Sequence, residues 1–469
     1  MFSIFSVSSC DFPSTWKSLT NSQKTEAGSQ TDVIEQKEAK IQVIKKVHAE
    51  IQAGSSDMIP KKSTQKQYDK PSLYAFLKRA TPIMIQELER NARSAAFRHL
   101  QQRTRQQHLE QLNVLEYHEA ARDYAALSVA VSNIRSTELA VGYGTTQHVD
   151  WCDHRAKLVL FKRKDLSARP RVYDMDSCVS CVAYNDRKPI LTCGMYTGEV
   201  LSWDGEEQLQ VGGRHSGRVS SLQWRPIYEG KRLLSAGVDG AIKLWKIRDK
   251  ALIISEELIV TSWDADVKLM SRSETPIGVT TTSFSAFEDT QFVIGTEGGY
   301  VMLGSLTASH ALFENGAKKC VMMNFQRHRG HVTHCSFSRH SRNIFLTSSV
   351  DKRARIYTQL QPSPVISLAH SDQLIKALWS FAHQLHIVTA TCSGKVALYD
   401  IRKAYSPLAE IDLANRVTDL AFVDLDQLAA STNNGGLHLL KLSDGFLARA
   451  ESIGIDDVVN SFRDGIGFE

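Results

Sequence analysis

The 469-residue sequence contains no run approaching 18 apolar residues, so no membrane-spanning helix is expected. Its opening stretch, MFSIFSVSSC, lacks the basic n-region of a signal peptide, and a soluble cytosolic protein without direct membrane contact is expected. Cysteine is sparse, eight residues with no spaced framework, and Cys181, Cys193, Cys335 and Cys392 fall in segments that read as strands, where a free thiol behaves as a small apolar group. Cys178-x-x-Cys181 has the spacing of half a zinc site. The second CxxC or His pair is missing, so core packing is expected for both thiols and no metal is assigned. No Gly-rich phosphate loop, nucleophile elbow or metal-spaced His/Cys/Asp set is present either, which argues against an enzyme, catalytic residues or a cofactor. Charge of one sign is lacking too. Residues 1 to 118 carry 17 Lys and Arg against 12 Asp and Glu, which leaves 39 of each sign in the remainder. Without a concentrated basic face, nucleic acid is not an expected partner.

What the chain does contain is a repeat. In residues 215 to 247, His215 precedes Val219, Leu222 and Trp224 at offsets 0, +3 and +5; an apolar Leu233-Leu234 run follows, then the turn Asp239-Gly240, then Ile242, Leu244 and Trp245. These are alternating strands, a tight hairpin and one large aromatic, the inward face of a small antiparallel sheet. The same offsets recur at Val179/Val182/Tyr184, Val279/Thr282/Phe284, Val332/Cys335/Phe337, Leu374/Ala377/Trp379 and Val417/Leu420/Phe422, and more faintly at Ala126/Val129/Val131. Each set is followed by a turn (Thr197-Gly198, Glu297-Gly298, Asp351-Lys352, Ser393-Gly394, Asn434-Gly435) and a closing bulky residue. Those residues are Phe161, Trp203, Trp245, Leu303, Tyr357, Tyr399 and Leu440, separated by 42, 42, 58, 54, 42 and 41 residues. One such sheet cannot bury a core alone, so seven units of this period imply seven blades.

These units resemble WD40 repeats. His215, His328 and His370 each stand four residues before the strand, Asp239 and Asp351 sit in turns, and Trp203-Asp204 and Tyr399-Asp400 occupy the place of the WD dipeptide. The resemblance implies a buried hydrogen-bond chain of His, turn Asp, strand Ser/Thr and Trp, complete only at His215, Ser235, Asp239 and Trp245. The expected class is all-β, a seven-bladed WD40 β-propeller over residues 119–455 preceded by a disordered and helical N-terminal extension and followed by a tail, 456–469. The last blade takes its outer strand either from residues 444–452 or from the chain just before residue 120.

Ahead of the propeller, residues 1–32 are polar and read as disordered. Within them Gly28-Ser29-Gln30-Thr31-Asp32 resembles the TQT-type motif by which extended segments add a strand to a dynein hub light chain; the binding residues are Ser29, Gln30, Thr31 and Asp32. Lys62-Ser63-Thr64-Gln65-Lys66 is similar but ends in Lys. Residues 33–66 hold an amphipathic helix, with Ile34, Ile41, Ile44, His48 and Ile51 on one side, and a linker. Residues 67–118 read as a helical partner-binding segment spanning Tyr68 to Leu115. Asp69 and Pro71 mark its start, Leu73, Phe76 and Leu77 line one face, Thr81-Pro82 breaks the run, and Met84, Ile85 and Leu88 continue the stripe.

This order of parts, with QYDKPSLYAFLKRA and FVIGTEGGYV, resembles the dynein intermediate chains, and within them the branch that serves retrograde intraflagellar transport. The resemblance implies a non-catalytic subunit with dynein heavy chain, dynein light chains, a second, different intermediate chain and intraflagellar transport cargo as partners. It implies a location in the cytoplasm, cytoskeleton and cilium, at the axoneme and basal body. The rival reading is a scaffold or ubiquitin-ligase substrate receptor that reads phosphorylated peptides with Arg214, Arg218, Arg329 and Arg353.

Overall fold

The computed structural model describes residues 69–93 and 109–463, apart from 133, 135–137, 149–150, 164, 166–167, 226–231, 263, 266–274, 308–316, 404–405 and 444–453. The chain divides into two units, residues 1–96 and 97–469.

In the first unit, Lys70–Arg93 forms one helix. The Asp69 carboxylate accepts the Ser72 amide at 3.3 Å and its carbonyl accepts that of Leu73, so Asp69 caps the helix as its sequence suggests. The break expected at Thr81-Pro82 does not occur, since the helix runs through Pro82. A proline here leaves the Lys78 carbonyl without its helical donor, on a stretch of helix that is exposed.

The described residues of the second unit form seven sheets, antiparallel except in blade 3, whose outer strand Ala251–Ile259 also pairs in parallel with Gln210–Gly212 and Lys318–Lys319. Each begins with the strand that carries the 0, +3, +5 set: 125–131, 179–184, 219–224, 279–284, 332–337, 374–379 and 417–422. All seven of these strands are bulged at the residue after the first apolar position. The bulge turns that side chain toward the neighbouring blade. Ser180 Oγ donates to the Val219 carbonyl at 2.6 Å and Thr280 Oγ1 to that of Val332 at 2.6 Å; Ser220 reaches Val279 likewise, and Thr418 reaches Ala126. Blade 7 is thus tied to blade 1 by the device that ties blade 2 to blade 3.

Seven apolar clusters occupy the seven spaces between consecutive blades, the last joining Ala429, Leu437 and Leu439 of blade 7 to Ala126, Leu139 and Phe161 of blade 1. The closing residue packs on the preceding blade, as Trp203 does against Leu158 and Leu160, and Trp245 against Ile190 and Val200. Sheets that could not bury either face alone bury both in a ring.

Three boundaries differ from the sequence reading. Leu109–Leu115, read as helix, is a strand pairing antiparallel with Leu437–Leu442, in a register from Leu109 opposite Leu442 to Leu115 opposite Leu437. The propeller therefore starts at Leu109, not 119, and the N-terminal side supplies the outer strand. Its Leu, Glu and Gln favour a helix locally, but the open edge of blade 7 offers a full ladder of partners, and tertiary pairing overrides propensity. In blade 4 the turn residue with positive φ is Gly299 (φ 80°), not Gly298, so the position opposite Phe292 is Gly304 rather than Leu303. A side chain at Gly304 would come within 2.9 Å of the Phe292 ring, which fills the space taken elsewhere by a closing aromatic. Cys392 lies just past its strand, and Cys178 just before one.

The segment read as a tail contains the helix Ile455–Arg463. Ile455, Val458, Val459 and Phe462, at i, i+3, i+4 and i+7, pack on Trp379, Ile387 and Tyr399, where blades 5 and 6 meet. Asp456 accepts the Ser341 hydroxyl at 2.6 Å. Val458→Asp is expected to undock this helix at a cost of roughly 3 kcal/mol, because a carboxylate has no partner in that apolar seam. Urea unfolding with hydrogen exchange of residues 455–463 checks it; unchanged protection would show that the helix does not cover the seam in solution.

Candidate functional site

The hydrogen-bond chain expected in blade 3 is complete. Trp245 Nε1 donates to Ser235 Oγ at 2.7 Å, Ser235 Oγ lies 2.7 Å from His215 Nε2, and His215 Nδ1 lies 3.2 Å from both Asp239 oxygens. An indole is only a donor and a carboxylate only an acceptor. With neutral His215 the proton therefore sits on Nδ1, and the Ser235 hydroxyl donates to Nε2. Burial alone would raise the Asp239 carboxyl, but His215 and the amides of Ala241 and Ser216 hold it down at about 2. The His215 amide also donates to the Gly198 carbonyl at 2.8 Å, so the network fastens the blade 2 turn to blade 3.

Blade 5 keeps three members. His328 Nδ1 lies 2.9 Å from Asp351 and Nε2 lies 2.8 Å from Thr347 Oγ1, while Tyr357, in the Trp position, donates instead to the Gln326 carbonyl at 2.7 Å. Burial pushes His328 down, and burial is outweighed at Asp351, which His328, the Arg329 amide and Arg355 hold at about 2. In blade 6 His370 Nε2 meets Thr389 Oγ1 at 3.1 Å and packs edge-on against Tyr399, with Ser393 where the turn Asp would be. Trp203 packs against Tyr173. These residues hold the scaffold; none presents a reacting atom.

The inner strands of all seven blades line a central channel of about 820 Å³. Its charges are mixed, Arg218, Arg339 and Lys376 against Glu297 and Asp419, and Lys376 pairs with Asp419 at 2.7 Å. Of the four arginines considered for phosphopeptide reading, only Arg218 lines the channel, and it lies over the Tyr196 ring at 5.6 Å; Arg353 donates to Ser367. They do not converge on one pocket.

On the helix Lys70–Arg93, Leu73, Phe76, Leu77, Met84 and Ile85 are all exposed, and Leu88 lies on the same helix. Ser29, Gln30, Thr31, Asp32 and the helix read at 33–52 lie outside the described residues. Cys178 is fully buried, while Cys181 is half-buried against the cluster between blades 2 and 3, and desolvation pushes its thiol up to about 12. Sequence reasoning missed the Ser and Thr residues at the bulges, although in five of the seven blades Ser180, Ser220, Thr280, Thr333 and Thr418 stand one residue past the first apolar position and were a legible signal.

Residues 206–246 and 318–358 match the family model described as WD domain, G-beta repeat. The chain is 28% identical over 421 residues to the cytoplasmic dynein 2 intermediate chain 2 of Mus musculus, covering 84% of this chain and 78% of that one. It is 29% identical over 367 residues to the Homo sapiens protein of the same name, covering 72% and 68%. It is 24% identical over 240 residues to the cytoplasmic dynein 1 intermediate chain of Drosophila melanogaster, covering 50% and 34%. This homology supports a role as a dynein subunit.

Proposed function

We propose that this WD40-repeat homologue of the dynein intermediate chains is the non-catalytic intermediate chain of a cytoplasmic dynein serving retrograde intraflagellar transport. It links heavy chain, light chains and cargo, and works beside a second, different intermediate chain in the cytoplasm, cytoskeleton and cilium. One observation carries the reading: similarity to the mouse protein covers 84% of the chain, more than the span from Leu109 to Arg463, so the likeness is to a propeller with its leader and not to WD40 repeats alone. The propeller presents a rigid surface to the heavy chain. Helix Lys70–Arg93 contributes an apolar face of Leu73, Phe76, Leu77, Met84, Ile85 and Leu88 to a helical partner, and Ser29 to Asp32 recruit the light chain by strand addition.

The test is tagged full-length chain recovered from ciliated cells and its partners identified by mass spectrometry. Dynein heavy and light chains are expected. Recovery of cullin-type ligase subunits without dynein would favour the substrate-receptor reading, which the dispersed arginines do not support. Deleting residues 1–66 is expected to release light chains and leave heavy chain bound; joint loss of both would overturn this division of labour.

A further inference from the structure

The loop of blade 1 between the strands Glu138–Gly144 and Ala156–Lys162 places His148, Cys152 and His154 against Cys178, in the short link that leads into the inner strand of blade 2. One ligand atom from each of the four lies within 4.8 Å of the others, and Cys152 Sγ is 3.8 Å from His154 Nδ1. We propose that these four residues bind one zinc ion as a closed, tetrahedral two-thiolate, two-imidazole site that staples blade 1 to blade 2.

Zinc with bonds of about 2.3 Å to sulfur and about 2.0–2.1 Å to nitrogen spans a tetrahedron whose edges are roughly 3.4–3.8 Å. The Cys152 to His154 edge already has this length, and the remaining ligands close by side-chain shifts of about 1 Å. The surroundings are those of a thiolate site. The Cys178 amide donates to Cys152 Sγ at 3.3 Å, and the Thr145 amide to Cys178 Sγ at 3.3 Å, so each sulfur receives a backbone N–H that supports its anionic form. Tyr196 stacks on the His148 ring at 3.7 Å and 11°, fixing its plane. Gly144 lets the strand end approach, since a side chain there would come within 2.7 Å of Cys178 Cβ. The donor set excludes magnesium and calcium, which take oxygen, and four protein ligands leave no open position for catalysis. A disulfide would use the two free thiols but not the two imidazoles gathered beside them.

In sequence Cys178 is spaced with Cys181, three residues on. Cys181 lies in the adjoining strand, half-buried against the cluster between blades 2 and 3, and the ligands that accompany Cys178 come instead from a loop more than twenty residues earlier. This inference is independent of the proposed function.

The test uses the full-length chain, stripped with a chelator and given zinc or cobalt(II) alone. One equivalent of zinc is expected after dialysis, with protection of two thiols from alkylation and an upward shift in melting temperature. Cobalt(II) is expected to give the strong visible bands and thiolate charge-transfer absorption of a tetrahedral site. Cys152→Ser with Cys178→Ser should abolish both, and His154→Ala should lose the tetrahedral spectrum, whereas Cys392→Ser should change nothing. The proposal fails if the double variant keeps its zinc, if the natively folded wild-type chain holds none, or if Cys152 and Cys178 are found joined as a disulfide in the isolated protein. If the double variant does not fold, the wild-type cobalt spectrum decides: weak octahedral bands overturn the site.

Discussion

A chain begun at His118 is expected to fail as a soluble monomeric propeller, whereas one begun at residue 97 keeps the melting temperature of the full-length protein. The difference between them is the strand Leu109–Leu115. It covers the edge of Leu437–Leu442, and Leu109 and Leu115, 2% and 7% exposed, enter the two clusters on either side of blade 7. Losing these two leucines removes about 4 kcal/mol of burial. The larger effect lies in what is left behind: an unpaired edge strand, LHLLKL, with its apolar side chains uncovered, is a template for pairing with other chains. Size-exclusion chromatography with thermal melts distinguishes the two truncations. Should the chain begun at His118 remain monomeric with an unshifted transition, another segment closes blade 7 and the assignment is wrong. A peptide of residues 105–117 added in trans is expected to restore part of the stability, since the ladder requires no covalent link.

Asp239→Asn is expected to destabilise the propeller by roughly 2 kcal/mol at pH 7, with the loss shrinking as pH falls from 4 toward 2. The sign follows from the depressed carboxyl. A group held from an ordinary 3.8 down to about 2 in the folded state contributes stability above the unfolded value and loses it as pH falls through the folded one. The side chain is only 10% exposed, so solvent screening removes little of this. Asn preserves the shape and can still accept the His215 proton, which isolates the charge from the packing. Asp351→Asn in blade 5 is expected to behave alike, because His328 holds Asp351 in the same way and the side chain is 5% exposed. The two losses should add, since the networks share no partner. Urea unfolding at pH 7, 4 and 3 reads both. A gap between Asp239→Asn and wild type that stays constant with pH would mean that Asp239 acts through shape alone.

Blade number was legible because the propeller's unit of burial is also a unit of sequence. The spacing from Phe161 to Leu440 and the set Val219, Leu222, Trp224 reflect a side-chain alternation that any sheet of this kind must carry. The His215 network was legible for the same reason: its members lie within one repeat, and their offsets are set by strand and turn length. Blade 4 was misread by one residue because Glu297-Gly298-Gly299 offers two glycines, and composition does not say which takes positive φ; the backbone does, at Gly299. The helix Ile455–Arg463 carries its apolar stripe openly, but nothing local says that blades 5 and 6 await it. The arginines singled out by sequence proved dispersed, and Cys178 turned away from Cys181 toward a loop with no regular spacing to it.

By itself, then, the sequence determined the number of blades, the strands that line the channel and the residues of the blade 3 network, because each depends on contacts within some forty residues. Only the tertiary structure decided how the ring closes, what covers the seam of blades 5 and 6, and which side chains gather around Cys178. Those meetings join residues as distant as Leu109 and Leu442, and no periodicity links such pairs. They are selected by which edges and faces remain unsatisfied after the repeats have folded, a property of the assembled ring and of no segment within it.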